Sequence, residues 1–143
     1  MSDYFEEIEI GETDAFGTYE VTEEDVVSFG EQFDPQPFHV DEDAARESMF
    51  GGLVASGWHT ASMTMRLLVD NFLADSRALG AVGIDDLRFP SPVRPGDALR
   101  VETEVVDKEV WDEDRGLVHC AIETSNAEGV VLTMVGLVLW ERE

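Results

Sequence analysis

The feature that most constrains the fold is one long apolar helical pattern followed only by strand patterns. From Trp58 to about Leu79, apolar residues recur at helical spacing around nearly the whole circumference, and a helix of that kind is buried. Its marked apolar face comprises Trp58, Ala61, Met65, Leu68 and Phe72. Alternating strand patterns then span residues 82–89, 98–110, 115–125 and 130–140. The sequence therefore predicts an α+β fold in which a curved antiparallel sheet wraps a central helix.

An acid and an imidazole stand five residues apart shortly before this helix. The helical pattern that precedes them ends at Phe33, because Pro35 and Pro37 cannot continue it. The same two prolines restrict the backbone of the loop that carries Asp34 and His39. We therefore expect both polar side chains to be held in place.

The start of the long helix supplies a third component. Ser56 and Gly57 open it, and the first turn of a helix carries free backbone N–H groups and the positive end of the helix dipole. An acid, an imidazole and an anion-binding helix start together predict an active site within residues 33–60. Taken singly, Asp34 could cap a turn, His39 could be a buried histidine bonded to a carbonyl, and Gly57 could be only a tight helix entry.

Two shorter helices are predicted from their caps. Thr22 is followed by three acidic residues and an apolar stripe, which predicts a helix that begins there. Asp41 is the predicted cap of a second helix that extends to Ser48. A short strand is predicted before the first of them, from Phe16 to Val21.

The charge of the chain is extreme. Among 143 residues, 32 are acidic and 9 are lysine or arginine, which gives a net charge of −23. The acids are spread over the whole length, which favours adaptation to a salty, halophilic cytoplasm over a docking surface for a basic partner. Nucleic acid binding is disfavoured because phosphates require clustered cations. The length predicts one domain, residues 1–143.

Membrane insertion and metal binding find no support in the sequence. No apolar run reaches the roughly 18 residues of a membrane span, and the acidic start does not resemble a secretory signal, so a cytoplasmic location is expected. Cys120 is the single cysteine and is predicted to be buried and inert. A zinc site from His39, His59 and Asp41 is disfavoured because no pair has the i, i+4 spacing of a metal motif, so no metal is expected; His59 is read as structural and His119 as solvated.

The segment Asp34-Pro35-Gln36-Pro37-Phe38-His39, with Asp41, Ala44, Phe50 and Gly57 after it, resembles the MaoC-like dehydratases. This family contains the (R)-specific enoyl-CoA hydratases and has the motif D-x-N-P-x-H-x-D. The corner from Phe89 to Asp97 is similar to the family's second recurring stretch. The resemblance covers roughly residues 15–140 and implies a hot-dog fold, with the long helix inside the sheet, assembled as a homodimer.

The resemblance also implies roles for the three site residues. Asp34 and His39 would bind one water and add it across the double bond of a trans-2-enoyl-CoA, giving a 3-hydroxyacyl-CoA. The Gly57 N–H would bind the thioester carbonyl, and no cofactor would be needed beyond the coenzyme A of the substrate. We expect Asp34 as the principal base. Gln36 and Ser56 depart from the family, which often has Asn and His there, and Met65 stands where some hydratases have a serine.

The substrate implied by the resemblance needs an apolar slot and some cations. Apolar side chains that flank the polar pair are the candidates for the acyl chain, although each could equally be core: Phe38, Phe50, Leu53 and Trp58, with Phe33 and Met49 beside them. Arg88, Arg94 and Arg100, near the proline corner, are the candidates for the coenzyme A phosphates, followed by Arg66 and Lys108.

Two other functions stay open. Hot-dog proteins include acyl-CoA thioesterases, which usually carry their carboxylate on the central helix, whereas Asp70 and Asp75 lie far from the start of that helix. A non-catalytic acyl-CoA-binding or dimerisation module would not require Asp34 and His39 at this separation. We therefore predict a carbon–oxygen lyase of fatty acid metabolism.

Overall fold

The computed structural model describes residues 3–143, so the first two residues of the predicted 1–143 domain lie outside it. A 3₁₀ turn, Phe5–Glu7, comes first. The helices are α1 (Glu23–Phe33), α2 (Pro37–Val40), α3 (Glu42–Arg46) and α4 (Gly57–Leu68), which a π-helical segment, Val69–Leu73, prolongs. The strands are β1 (Thr13–Glu20), β2 (Ala78–Arg88), β3 (Ala98–Val110), β4 (Arg115–Asn126) and β5 (Gly129–Glu141).

The described residues form one five-stranded sheet in the order β1-β3-β4-β5-β2. Every neighbouring pair is antiparallel. Strands β3, β4 and β5 follow one another by short hairpins. Strand β3 alternates between buried and exposed residues, whereas β4 and β5 alternate over part of their length between buried and half-buried residues. The two strands at the edges of the sheet are β1 and β2.

Helix α4 lies against the inner face of this sheet, so the predicted architecture is confirmed. Met63, Leu67 and Leu68 of the helix belong to the same buried cluster as Leu99 and Ile122 of the sheet. The buried hydroxyls of Thr64 and Thr124 share a hydrogen bond of 2.6 Å between helix and strand. Because each hydroxyl satisfies the other, neither polar group destabilises the core.

The predicted apolar face of this helix was partly wrong. Trp58 is 62% exposed and Met65 is 40% exposed, whereas His59, Thr60 and Thr64 are buried. Helix α4 buries a face that mixes polar and apolar residues, since threonine hydroxyls can bond within the helix or to the sheet, as Thr60 and Thr64 do.

The predicted end of the helix was also wrong. The helical segment ends at Leu73, not near Leu79, and β2 begins at Ala78 rather than Val82. Ser76 Oγ donates to the Leu73 carbonyl and accepts from Ala78 N. One hydroxyl therefore bonds both to the last residue of the helical segment and to the first residue of β2.

The caps near the site were predicted correctly. Thr22 Oγ1 accepts from Asp25 N at 3.2 Å, and Asp41 Oδ1 accepts from Asp43 N and Ala44 N.

Cys120 is buried as predicted, and burial raises the pKa of its thiol to about 11, which keeps it protonated and unreactive. Within residues 3–143, none of the helices is long and apolar enough to cross a membrane.

Candidate active site

Asp34 lies at the C-terminal end of α1, and hydrogen bonds reach both of its carboxylate oxygens. Its own N–H closes the helix by donating to Gly30 O at 2.8 Å. Gln36 Nε2 donates to Oδ1 at 2.7 Å, and Ser56 Oγ donates to Oδ2 at 2.7 Å. The bond from Gln36, helped by the bond from Ser56 and opposed by partial burial, holds the pKa of Asp34 below its usual range. The carboxylate is therefore ionised at neutral pH.

His39 lies on α2, the single helical turn that follows. The sequence predicts a loop there, but Pro37 occupies the first position of a helix, where its missing N–H and fixed φ are favourable. The imidazole is buried, and its Nδ1 lies 2.6 Å from the carbonyl oxygen of Val54. Because a carbonyl can only accept, Nδ1 carries a proton, and in the neutral ring Nε2 has a free lone pair.

The two side chains converge. His39 Nε2 lies 3.3 Å from Asp34 Oδ2. When the imidazole is neutral, two acceptors face each other across this gap, and neither can satisfy the other. A molecule with two O–H donors, such as water, can bond to both.

Gly57 brings the helix start to the same place. Ser56 caps α4, with its Oγ accepting from Trp58 N at 3.3 Å, and the Gly57 N–H has no acceptor among residues 3–143. A Cβ at Gly57 would lie 2.5 Å from Cε2 of Phe89, so only glycine lets that ring pack over the start of the helix. The open N–H group at a helix start is a suitable donor for a developing oxyanion.

These groups share one cavity of about 500 Å³. Asp34, His39, Ser56 and Gly57 line it together with apolar side chains. Those apolar side chains include the predicted Phe38, Phe50 and Trp58, and also Phe89 and Val131. An acid, an imidazole and a free N–H group therefore border a pocket with apolar walls, which is the usual make-up of a small-molecule site.

A family model described as a MaoC like domain matches residues 7–127. The chain belongs to the MaoC-like domain family. A solved MaoC-like dehydratase from Rhodospirillum rubrum is 42% identical, with a TM-score of 0.88 over 98% of this chain and 97% of that one. The R-hydratase PhaJ1 of Pseudomonas aeruginosa is 26% identical, with a TM-score of 0.77 over 98% of this chain and 86% of that one. These likenesses confirm the predicted family and its hot-dog fold.

A curated relative is named 3-hydroxybutyryl-CoA dehydratase, from Methylorubrum extorquens. It is 36% identical over 106 residues, which are 73% of this chain and 64% of the relative. The chain thus spans about two thirds of that relative's length.

Three predicted substrate contacts lie away from the cavity of this MaoC-like chain. Leu53 is 7% exposed and belongs to the buried core. Arg88 donates to the carbonyl of its neighbour Leu87. Arg94 Nη2 donates to Phe50 O at 2.5 Å, so this guanidinium fastens the loop that carries Phe50 to the proline corner. None of these three residues lines the cavity, and their contact with a substrate stays a prediction.

Two residues that border the MaoC-like cavity were missed as site residues. Phe89 was read only as part of a rigid corner, and the small residue Gly57 was the signal that a ring could pack there. Ser56 was noted as a departure from the family motif, but its bond to Asp34 spans 22 positions of sequence and has no local signal.

The other two histidines do not border the cavity. His59 is 6% exposed, stacks on Phe29 with ring centroids 4.7 Å apart, and has an Nδ1 with no partner among the described residues. His119 lies on the outer face of the sheet, 23% exposed, with its Nε2 3.2 Å from Glu109 Oε2. Asp107, Glu109 and His119 bring possible ligand atoms within 4.8 Å of one another there, remote from Asp34 and His39, and such exposed groups are common without an ion.

Proposed function

We propose that this protein catalyses the reversible addition of water to a trans-2-enoyl-CoA, giving a 3-hydroxyacyl-CoA. The observation that carries the proposal is the 3.3 Å approach of His39 Nε2 and Asp34 Oδ2 on the wall of a cavity that also contains the open Gly57 N–H. Relatives that are named as a dehydratase and an R-hydratase support the same reaction class.

In the proposed chemistry, His39 first accepts a proton and then returns it. Water bonded to both side chains gives a proton to His39 Nε2 as its oxygen bonds to the β-carbon, and the electrons of the double bond move onto the thioester oxygen. The Gly57 N–H stabilises that oxyanion. The enolate then collapses and its α-carbon takes a proton from the His39 imidazolium, so one water is added and the protein is regenerated.

This proposal changes the expected role of Asp34. Its pKa is lowered by the bonds from Gln36 and Ser56, and a carboxylate stabilised in this way is a weaker base. His39, by contrast, has its Nδ1 proton fixed on Val54 O and presents a free lone pair. We therefore assign proton transfer to His39, and to Asp34 the orientation of water and the stabilisation of the imidazolium.

One assay separates the candidate functions. Crotonyl-CoA is followed at the enoyl absorbance in multimolar KCl, and free thiol is measured in parallel. Hydration removes the enoyl absorbance without releasing thiol. Thiol release with an intact double bond would instead indicate a thioesterase, and no change in either signal would indicate a non-catalytic module.

The position of acidic residues argues against the thioesterase alternative. Within residues 3–143, helix α4 itself carries no Asp or Glu, and Asp70, in the π-helical segment that follows α4, pairs with Arg66 at 2.8 Å. The carboxylate of the cavity comes from the end of α1 instead. We also retain the cytoplasm and fatty acid metabolism as predictions.

We further propose that two chains associate as a homodimer along β2. This edge strand exposes three large apolar residues, Leu79, Val82 and Ile84, which are 54%, 48% and 46% exposed. An unpaired edge with apolar side chains is a template for pairing with a second copy.

The dimer is tested by replacing one of these residues with a charged one. Ile84→Glu should convert the protein from a dimer to a monomer in light scattering coupled to size exclusion at high KCl. Val110→Glu is the control, because Val110 is 61% exposed but lies on β3, away from that edge. A monomeric wild-type protein, or a dimer that survives Ile84→Glu and not Val110→Glu, would exclude this interface.

A further inference from the structure

One side chain connects the carboxylate of the cavity with the start of α4. Ser56 Oγ–H donates to Asp34 Oδ2 at 2.7 Å, and this is the same oxygen that lies 3.3 Å from His39 Nε2. The serine is 1% exposed, so bulk water does not compete for its hydroxyl. A buried bond from a neutral donor to an ionised acceptor is among the stronger hydrogen bonds in a protein.

The same hydroxyl is fixed from the other side. Its oxygen accepts from Trp58 N at 3.3 Å, as the N-cap of α4. The hydroxyl proton therefore points to the carboxylate, because the Trp58 N–H occupies an acceptor site of the oxygen. Backbone N–H, hydroxyl and carboxylate form one chain of bonds that runs into the gap before His39.

Gln36 cannot make this connection. It bonds to Asp34 Oδ1 at 2.7 Å, but it is only two residues away in sequence and belongs to the same segment as Asp34. Its bond fixes the carboxylate to its own loop. Among residues 3–143, the side chain that bonds the carboxylate to α4 is Ser56.

We propose that Ser56 is the positioning residue of this site and sets the Asp34 carboxylate relative to both His39 Nε2 and the Gly57 amide. The inference rests on the proposed function for its effect on catalysis, but not for the contact itself. Three components on three different elements have to meet within hydrogen-bond distance of one substrate, and a misplacement of about 1 Å can cost 100-fold in rate. Ser56 fixes the separation of two of these elements.

The first test measures the carboxylate and needs no substrate. The pKa of Asp34 is read from the pH titration of its carboxyl ¹³C shift; His39 is the titratable group that faces it. Ser56→Ala should raise the pKa of Asp34, because the lost bond stabilises the ionised form. Ser56→Thr should restore the wild-type value. An unchanged titration in Ser56→Ala would overturn the inference.

The second test measures turnover in the same variants. Ser56→Ala should lower kcat about tenfold or more with little change in KM, and Ser56→Thr should recover most of it. Ser62→Ala is the matched control, because Ser62 is an exposed serine of α4 that donates to Trp58 O and does not contact Asp34. A raised pKa with kcat equal to that of Ser62→Ala would also overturn the positioning role.

A further variant distinguishes the loss of the bond to Asp34 from the loss of the cap of α4. Ser56→Ala also removes the cap of α4, so Ser56→Gly, which lacks the hydroxyl but is tolerated at caps, must show the same pKa and kcat changes. If Ser56→Gly behaves as wild type, the effect belongs to capping and the inference fails. If the wild-type protein hydrates no enoyl thioester, the proposed function fails, while the titration still decides whether Ser56 holds Asp34.

Discussion

At the scale of single residues, the proposed reaction requires both the imidazole of His39 and the carboxylate of Asp34. His39→Ala removes the proposed proton acceptor, and Asp34→Asn removes the charge that orients water and stabilises the imidazolium. We expect each variant to lower kcat about 100-fold or more, which is the usual size of an acid–base effect. The measurement is crotonyl-CoA turnover, with circular dichroism to establish that both variants fold. Wild-type turnover in either variant would remove that residue from the site.

His59 is a residue whose burial has a cost at low pH. Burial lowers the pKa of its imidazole, and the nearby charge of Asp25 only partly opposes this. The native state therefore binds fewer protons than the unfolded state, whose histidine pKa is about 6.5. Stability from the neutral ring is present above that pH and is lost as the pH falls below it toward the lower native pKa.

The prediction for His59 compares how the free energy of unfolding depends on pH in the wild type and in a variant without this histidine. The free energy of unfolding of the wild type should fall between pH 7, about half a unit above the unfolded pKa, and the onset of acid unfolding. The free energy of unfolding of His59→Leu should fall less over the same range, because leucine cannot be protonated. Both are measured by denaturant unfolding at fixed KCl. Parallel curves would mean that His59 is protonated equally in both states.

The sequence predicted that Asp34 and His39 lie close together, as they do, but it did not predict the groups that bond to them. The spacing of Asp34 and His39 predicted a paired acid and imidazole only together with the resemblance to a family whose motif carries both. The bonds that hold them, to Val54 O and from Ser56 Oγ, come from residues 15 and 22 positions away. The bond from Arg94 to the carbonyl of Phe50 was also not predicted, because a cation looks the same in sequence whether it binds a phosphate or a carbonyl.

At the scale of secondary structure elements, the close approach of α1 and α2 positions His39. A Cβ built on Gly30 of α1 would lie 3.0 Å from His39 Cβ and 3.1 Å from its carbonyl oxygen. Those contacts are tighter than ordinary packing, so a methyl group there has to push α2 away. The glycine is thus the reason that His39 can lie against α1.

Gly30→Ala should therefore lower kcat about tenfold by displacing the imidazole, with a smaller effect on the melting temperature. Ser28→Ala is the control on the same helix, because Ser28 is exposed. Turnover per folded molecule is compared with the melting temperature for both variants. Loss of stability without loss of kcat would mean that the glycine serves packing alone.

Element starts were easier to predict than element ends. Thr22 and Asp41 predict the starts of their helices, because an N-cap side chain bonds to a backbone N–H only two or three positions away. The end of the central helix depends on Ser76, which bonds to Leu73 O and Ala78 N, within an apolar stretch whose pattern fits helix or strand equally. The predicted start of the following strand, Val82, is four residues later than the observed start, Ala78, for the same reason.

At the scale of the whole molecule, the order of the strands could be predicted only as far as hairpins. Strands β3, β4 and β5 are neighbours in sequence and in space. The placement of β1 beside β3 and of β2 beside β5 requires long connections, and it was not predicted. The cavity then arises because α1, α2 and the start of α4 meet at one end of the helix that the sheet wraps.

From the net charge of −23, we expect the stability of the folded state to depend on salt. Acids face acids on the outer surface of the sheet: Glu102 on β3 is directly opposite Glu123 on β4, and both are exposed. The Cβ atoms of such a pair lie about 5 Å apart, and like charges on them repel each other. Molar salt shortens the Debye length to about 3 Å, which removes most of this repulsion.

Stability should therefore rise with KCl, and Glu123→Gln should reduce that dependence. The variant is expected to be more stable than the wild type at low KCl and equal to it at molar KCl, because only repulsion that salt has not screened is relieved. Glu128→Gln is the control with the same charge change, since Glu128 lies in the turn between β4 and β5 and has no acid paired with it in the sheet. Melting temperatures across a KCl series give the comparison. Equal gains from both variants would mean that net charge, rather than this cross-strand pair, sets the salt dependence.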